Sequence, residues 1–195
     1  GCTSLTSISV ADGSENFAAV DNILYDISGE GAVMTAYPFG SQETEFTIPI
    51  SVNGKTITEI GPQLFKENGI LKQITVPQTV TTIDRFAFNG MTAIEKIILE
   101  HETAPKLGSE VCTAMNPGSK VIVKNEDVAK AFESTSKWTT YYTPENTTIT
   151  VAGSEPEVKT VSATVSIAAE PEIKDGNAVY SIYLDSAENV NTVLL

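Results

Sequence analysis

Residues 80–99 read VTTIDRFAFNGMTAIEKIIL, with apolar side chains at Val80, Ile83, Phe86, Phe88, Ile94, Ile97 and Leu99. Neither a 3.6-residue nor a 2-residue period runs through the whole stretch, so no single helix or strand explains it. Recurrence does. Moving the chain by 23 positions lays residues 57–76, ITEIGPQLFKENGILKQITV, over it: Val80 falls on Ile57, Ile83 on Ile60, Phe88 on Phe65, Ile94 on Leu71, Ile97 on Ile74 and Leu99 on Val76. Two equal units with one spaced apolar signature predict a solenoid, because such a coil has too little apolar surface to close a core alone and must stack on its neighbours. A partial copy, GCTSLTSISV at 1–10, sets Leu5, Ile8 and Val10 at the spacing of Leu71, Ile74 and Val76. It begins in mid-unit, and a longer array is expected before it.

Within a coil, the closing LKQITV alternates as a short strand does, with Ile74 and Val76 inward and Gln73 and Thr75 outward. Strands at 5–10, 71–76 and 94–99 are therefore expected in one parallel sheet, with Ile8, Ile74 and Ile97 in one buried column. The first part of each coil is expected as an irregular or one-turn helical return, plugged by Leu64 and Phe65 or by Ala87 and Phe88.

These repeats resemble the leucine-rich repeats of the BspA type found in surface proteins of bacteria and some protists. In that family an Ala-Phe pair, a cysteine and then Leu-x-x-Ile-x-hydrophobic recur every 23 or so residues. This chain departs at Leu64-Phe65, and at Asn68 and Met91, where cysteine is usual; Asn68 needs a hydrogen-bond partner if it is buried. Residues 17–49 are similar to the family's hairpin insertion, with strands expected at Ile23–Ile27 and Val33–Tyr37 around a Ser28-Gly29-Glu30-Gly31 turn. Residues 103–142 resemble the closing segment of such arrays: a final strand at Val121–Val123, a helix capped by Asn125 with Val128 and Phe132 on one face, and Trp138 sealing the end. The resemblance implies a mainly β chain with short helices, a leucine-rich-repeat solenoid over 1–142, exported to the bacterial surface or medium.

Beyond the solenoid, residues 143–157 have linker composition around one possible short strand. Residues 158–195 then alternate, with Val161, Ala163, Val165 and Ile167 on one face, a turn at 175–177 and a strand at Val179–Leu184. This ending is similar to the opening strands of cohesin-like and other β-sandwich modules, which implies a partial β-sandwich-like segment.

Twelve basic residues against 25 acidic give a net charge of −13, which argues against nucleic acid, since phosphate binding needs clustered cations. No apolar run approaches a membrane span, so no membrane insertion is expected of this stretch. Cys2 has two readings, a lipoprotein cysteine after Gly1 or a small buried residue at the coil position of Asn68 and Met91. Cys112 is too distant in sequence to suggest a disulfide framework with it.

The sequence carries no complete pattern of enzyme chemistry. The single His101 has no second histidine or suitably spaced cysteine for zinc or a triad, and is expected as an exposed loop residue. Gly54-Lys55-Thr56 lacks the earlier glycine of a phosphate loop, and Asn53-Gly54 reads as a tight turn. A calcium-loop spacing is absent, and carboxylates on a thin sheet do not flank a pocket. The expectation is a non-catalytic binding module without cofactor or metal. Its candidate surface is the outward strand face, Ser7, Ser9, Glu45, Thr47, Gln73, Thr75, Lys96 and Ile98, with Glu45 and Thr47 placed by aligning ETEFTI to LKQITV. The expected partner is a host or microbial surface protein or glycan. Two alternatives stay open: a solvated face that merely spaces neighbouring modules, and an accessory region of a scaffold or carbohydrate-active surface protein carrying a cohesin-like module.

Overall fold

The computed structural model describes residues 4–134 and 148–153 and the strand segments 164–167, 172–174, 177–179 and 182–185. It divides into two compact units, 1–155 and 156–195.

The first unit opens with an antiparallel meander of β1 (Phe17–Val20), β2 (Ile23–Asp26) and β3 (Ala32–Ala36). The β2–β3 hairpin lies where the sequence places it, with Tyr25 opposite Met34 and Asp26 opposite Val33. Lys55 fastens its turn, donating from Nζ to the carbonyls of Ile27 and Gly29. The additional strand β1 is joined to β2 through Asp21 and Asn22, both at positive φ (52° and 63°), the backbone that a two-residue hairpin turn demands and that Asp and Asn tolerate.

The coils follow, carrying β4 (Glu45–Thr47), β5 (Ser51–Val52), β6 (Lys55–Ile60), β7 (Gln73–Val76), β8 (Thr82–Ile83), β9 (Lys96–Leu99), β10 (Lys106–Leu107), β11 (Lys120–Val123), helix α1 (Glu126–Ser134) and β12 (Thr148–Val151). They sort into two sheets. One is wholly parallel, in the order β12-β11-β9-β7-β4; the other continues the meander as β3-β6-β8-β10, with β5 paired to β6 across the expected Asn53-Gly54 turn. The return side is therefore not simply irregular: β6, β8 and β10 form a parallel ladder before each turn segment.

Those turn segments are also regular from coil to coil. Gln63, Phe86 and Glu110 have positive φ, and so do Glu67, Gly90 and Ala114, each set spaced by the repeat. The kinks point alternate N–H groups at the next coil: Phe65 donates to the Ala87 carbonyl and Phe88 to that of Val111, each at 2.9 Å, and Gly90 donates to Thr113. Backbone that leaves the ladders is thus still paired, as burial requires.

The core runs along the stack. Its main column, set by strand register, is Phe46, Ile74, Ile97, Val121 and Ile149. Ile74 and Ile97 lie in it, fully buried, as expected. Phe65 stacks on Phe88 with centroids 5.8 Å apart, and Tyr37 and Phe46 extend this aromatic row toward the meander.

Ile8 is not in the column. Residues 5–10 form no strand; the Leu5 carbonyl accepts from Gly40, which holds this stretch against the loop after β3 and outside the ladder at β4. An alternating pattern only requires one half-buried side, and Ile8 and Val10 satisfy it by partial burial.

The region read as a closing segment contains a further full coil. Leu107, Val111, Cys112, Met115, Val121 and Val123 are buried where Ile83, Ala87, Phe88, Met91, Ile97 and Leu99 lie one turn earlier. Nor is β11 the final strand: β12, inside the stretch of linker composition, pairs parallel outside it. Helix α1 begins as expected, with Asn125 Oδ1 accepting from Val128 N–H at 2.9 Å and Glu126 and Asp127 in the first turn, and it buries Val128 and Phe132. Trp138 and Cys2 lie outside the described residues.

In the second unit, β13 (Thr164–Ile167) pairs antiparallel with β16 (Ile182–Asp185), and β14 (Glu172–Lys174) with β15 (Asn177–Val179). The strand expected at 179–184 is divided between β15 and β16.

Candidate functional site

Register in the parallel sheet fixes which side chains share its outer face. One outward row is Glu45, Gln73, Lys96, Lys120 and Thr148; the next is Thr47, Thr75, Ile98, Ile122 and Thr150. All are exposed or half-buried, in contrast to their fully buried neighbours Ile74, Ile97 and Val121. Six of the eight sequence-predicted residues, Glu45, Thr47, Gln73, Thr75, Lys96 and Ile98, therefore meet on one surface. Ser7 and Ser9 do not join them, because their segment never enters the sheet.

The structure adds Lys120, Ile122, Thr148 and Thr150. A shift of 24 instead of 23 would have revealed the first two, since KVIV at 120–123 then overlies KIIL at 96–99. β12 follows only after helix α1 and carries no repeat spacing that subtraction would find.

The second row changes chemistry along its length, from threonine at 47 and 75 to isoleucine at 98 and 122 and back to threonine at 150. At its downstream margin a groove of about 610 Å³ opens, lined by Ile50, Pro77, Ile98, Ile122 and also by Glu100 and Lys124. Ile50 is 64% exposed, an unusual position for so large an apolar side chain. Charges flank the apolar strip. Lys96 stands directly beside Lys120, while Lys72 pairs with Glu95 at 3.0 Å and Lys124 pairs with Glu102. Glu102 is held below the ordinary carboxylate range, first by its hydrogen bond to Lys124 and then by that ammonium's charge.

His101 and Cys112 are used structurally. His101 is buried, contrary to its expected exposure, with Nε2 2.7 Å from the Val80 carbonyl oxygen. Desolvation lowers its pKa, so the ring is kept neutral and donates from Nε2. Cys112 is fully buried in the core position of Phe88, and desolvation raises its thiol well above the usual value, which makes it an inert packing residue. Among the described residues no three His, Cys, Asp or Glu side chains gather to hold a metal ion, and no helix is long and apolar enough to cross a membrane.

A family model for the BspA-type leucine-rich repeat region, of six copies, matches residues 39–152, more than half of the chain. The chain belongs to this family. Among solved structures it is similar to a leucine-rich repeat protein from Eubacterium ventriosum, 26% identical over 63% of this chain and 37% of that one, with a TM-score of 0.49. It is also similar to a leucine-rich repeat protein from Bacteroides capillosus (21% identity, 71% of this chain and 100% of that one, TM-score 0.46). A leucine-rich cell surface protein from Faecalibacterium prausnitzii follows at 16% identity, over 72% and 44% of the two chains, with a TM-score of 0.43. The chain thus spans little more than a third of the E. ventriosum protein. No curated protein matches it.

As a BspA-type repeat, the chain accommodates its departures from the family pattern locally. Asn68, 3% exposed at a position where cysteine is usual, accepts at Oδ1 from the N–H groups of Ile70 and Leu71, each at 2.9 Å. The side chain closes the turn that leads into the next strand. Met91 and Met115 fill the same place with apolar volume.

Proposed function

We propose that this leucine-rich repeat array is a non-catalytic extracellular or cell-surface binding module whose parallel-sheet face receives a host or microbial surface protein or a glycan. The observation that carries the reading is the outer row Thr47, Thr75, Ile98, Ile122, Thr150 beside the groove at Ile50 and Pro77. An apolar centre in a polar and charged surround is the anatomy of a recognition patch. Because it lies on in-register strands, each contact is held by a rigid scaffold, and binding energy is spread over several coils. The features that favour a binder over a spacer are the half-buried Ile98 and Ile122 and the exposed Ile50, since a merely solvated face has no use for three neighbouring isoleucines.

We further infer that the repeat domain and the segment at 158–195 are separate modules of a surface protein, the latter a β-sandwich-like neighbour. The antiparallel pairing of β13 with β16 and of β14 with β15 supports this.

The test is capture of host matrix proteins and glycans on an array by the chain, repeated with Thr75→Arg plus Lys96→Glu. The paired change alters both outward rows without touching the core. Loss of capture with unchanged melting supports the sheet face; capture that survives the pair but disappears on removing residues 17–40 moves recognition to the meander.

A further inference from the structure

Along β9 the outward positions place a cation, an aliphatic side chain and an anion in line: Lys96, Ile98 and Glu100. Glu100 continues the strand by one residue, its N–H donating to the Val76 carbonyl at 3.0 Å, and its side chain is exposed at the groove. Alternate positions of a strand are about 6.6 Å apart, so the two charges stand about 13 Å from one another with the apolar strip between them. Lys96 is exposed, with Lys120 directly beside it. Among the described residues neither Lys96 nor Glu100 forms a salt bridge, whereas the nearby Lys72 and Lys124 are matched by Glu95 and Glu102.

This order of chemistry selects among ligand classes. Sugar rings are held by stacking their C–H faces on aromatic side chains, and among the described residues neither the outward rows nor the groove lining carries an aromatic ring. An extended peptide has the matching period, because its alternate side chains share one side at the same spacing as the outward positions of β9. An acidic residue at i then meets Lys96, an aliphatic residue at i+2 lies on Ile98 and Ile122 against the wall of Ile50 and Pro77, and a basic residue at i+4 meets Glu100. Recognition is by side chains, since β9 is already hydrogen-bonded on both edges, to β7 and to β11. A second copy of the face, turned about a two-fold axis, would offer the same complementarity, but two chains of net charge −13 repel one another.

We propose that the groove and the adjoining β9 face bind an extended segment of a partner protein that carries acidic, aliphatic and basic side chains at alternate positions. The proposal rests on the reading of the parallel-sheet face as the recognition surface and narrows its partner from protein or glycan to peptide.

Interferometry with the full chain over immobilised acetyl-Ser-Glu-Ser-Leu-Ser-Lys-Ser-amide tests this, with three control peptides in which Lys becomes Glu, Glu becomes Lys, or Leu becomes Ser. The first peptide should bind at least fivefold more tightly than each control, and the preference over the two charge controls should shrink as salt is raised. Glu100→Lys should move the preference to the peptide with two glutamates, and Lys96→Glu to the peptide with two lysines, with unchanged melting because both positions are exposed. Equal binding of all four peptides, binding of none, or a preference that neither variant moves overturns the proposal. A dimer in sedimentation equilibrium that Glu100→Lys dissociates would make a second copy the occupant and overturn it as well. Failure here is separable from failure of the face: a glycan captured by the chain and lost in Thr75→Arg plus Lys96→Glu, with no peptide bound, refutes the peptide and keeps the face, whereas capture that survives that pair refutes the face.

Discussion

Ile97 and Ile98 are the same residue type, adjacent in β9, and they point to opposite sides of one sheet. Truncating each to alanine therefore isolates burial from chemistry. Ile97 is 1% exposed and stands between Ile74 and Val121 in the column, so the space its side chain leaves is walled by strands that are themselves fixed by neighbours. A core Ile→Ala change costs about 2–5 kcal/mol, and a site with so little room to collapse belongs in the upper half of that range, roughly 3–5 kcal/mol. In a unit of this size each kcal/mol lowers the midpoint by about 2–4 °C, so a loss of roughly 6–20 °C is expected. Ile98 is half-buried on the outer face. Its truncation should cost about 1 kcal/mol or less, mostly lost strand preference. Urea titration of the two variants, read at equal slope, gives the difference directly. Equal losses, or a larger loss for Ile98→Ala, would refute the two-faced reading of the sheet.

Other consequences follow from the turns, the cap and the buried imidazole. Ala114 has φ 52° and is exposed, so Ala114→Gly should raise stability by about 0.5–1 kcal/mol, whereas Gly90→Ala, at φ 71° with a Cβ that would approach Glu67 Cγ to 3.1 Å, should lower it by about 1 kcal/mol or more; opposite signs in chemical denaturation check both. Asn125→Ala removes the acceptor for Val128 N–H and should cost about 1 kcal/mol, seen as a lower melting temperature. Desolvation holds the His101 pKa below 6.5, so between its folded and unfolded values the unfolded chain binds the extra proton: stability should be full above about pH 6.5 and decline as pH falls below it. His101→Asn should flatten that slope below about pH 6.5, and an unchanged slope would show the ring to be uninvolved.

Much of this architecture could be read from residues 57–99 alone, because two units of one period carry the same buried positions. The strand columns follow from alternation, and so Glu45, Thr47, Gln73, Thr75, Lys96 and Ile98 could be placed on one face before any coordinates. What escaped has physical reasons. β8 and β10 are two residues long, too short to show alternation. The coil at 103–123 places Cys112 where phenylalanine marks the earlier turns, and one extra residue breaks the register of subtraction. Residues 5–10 have the expected pattern but form no strand; the Leu5 carbonyl accepts from Gly40, in the loop after β3, instead. His101 looked like a loop residue because nothing local foretells that its ring reaches the Val80 carbonyl across the coil.

The central claim is that recognition occurs on the parallel-sheet face, and paired binding isotherms test it most directly. One variant carries Ile98→Arg with Ile122→Arg on that face; the other carries Arg85→Glu with Lys66→Glu, residues of the turn segments on the return side. Measured against whichever matrix protein or glycan the array identifies, and with melting curves confirming both folds, the sheet-face variant should lose binding at least tenfold and the return-side variant should keep it. Retained affinity in the first and lost affinity in the second would contradict the account.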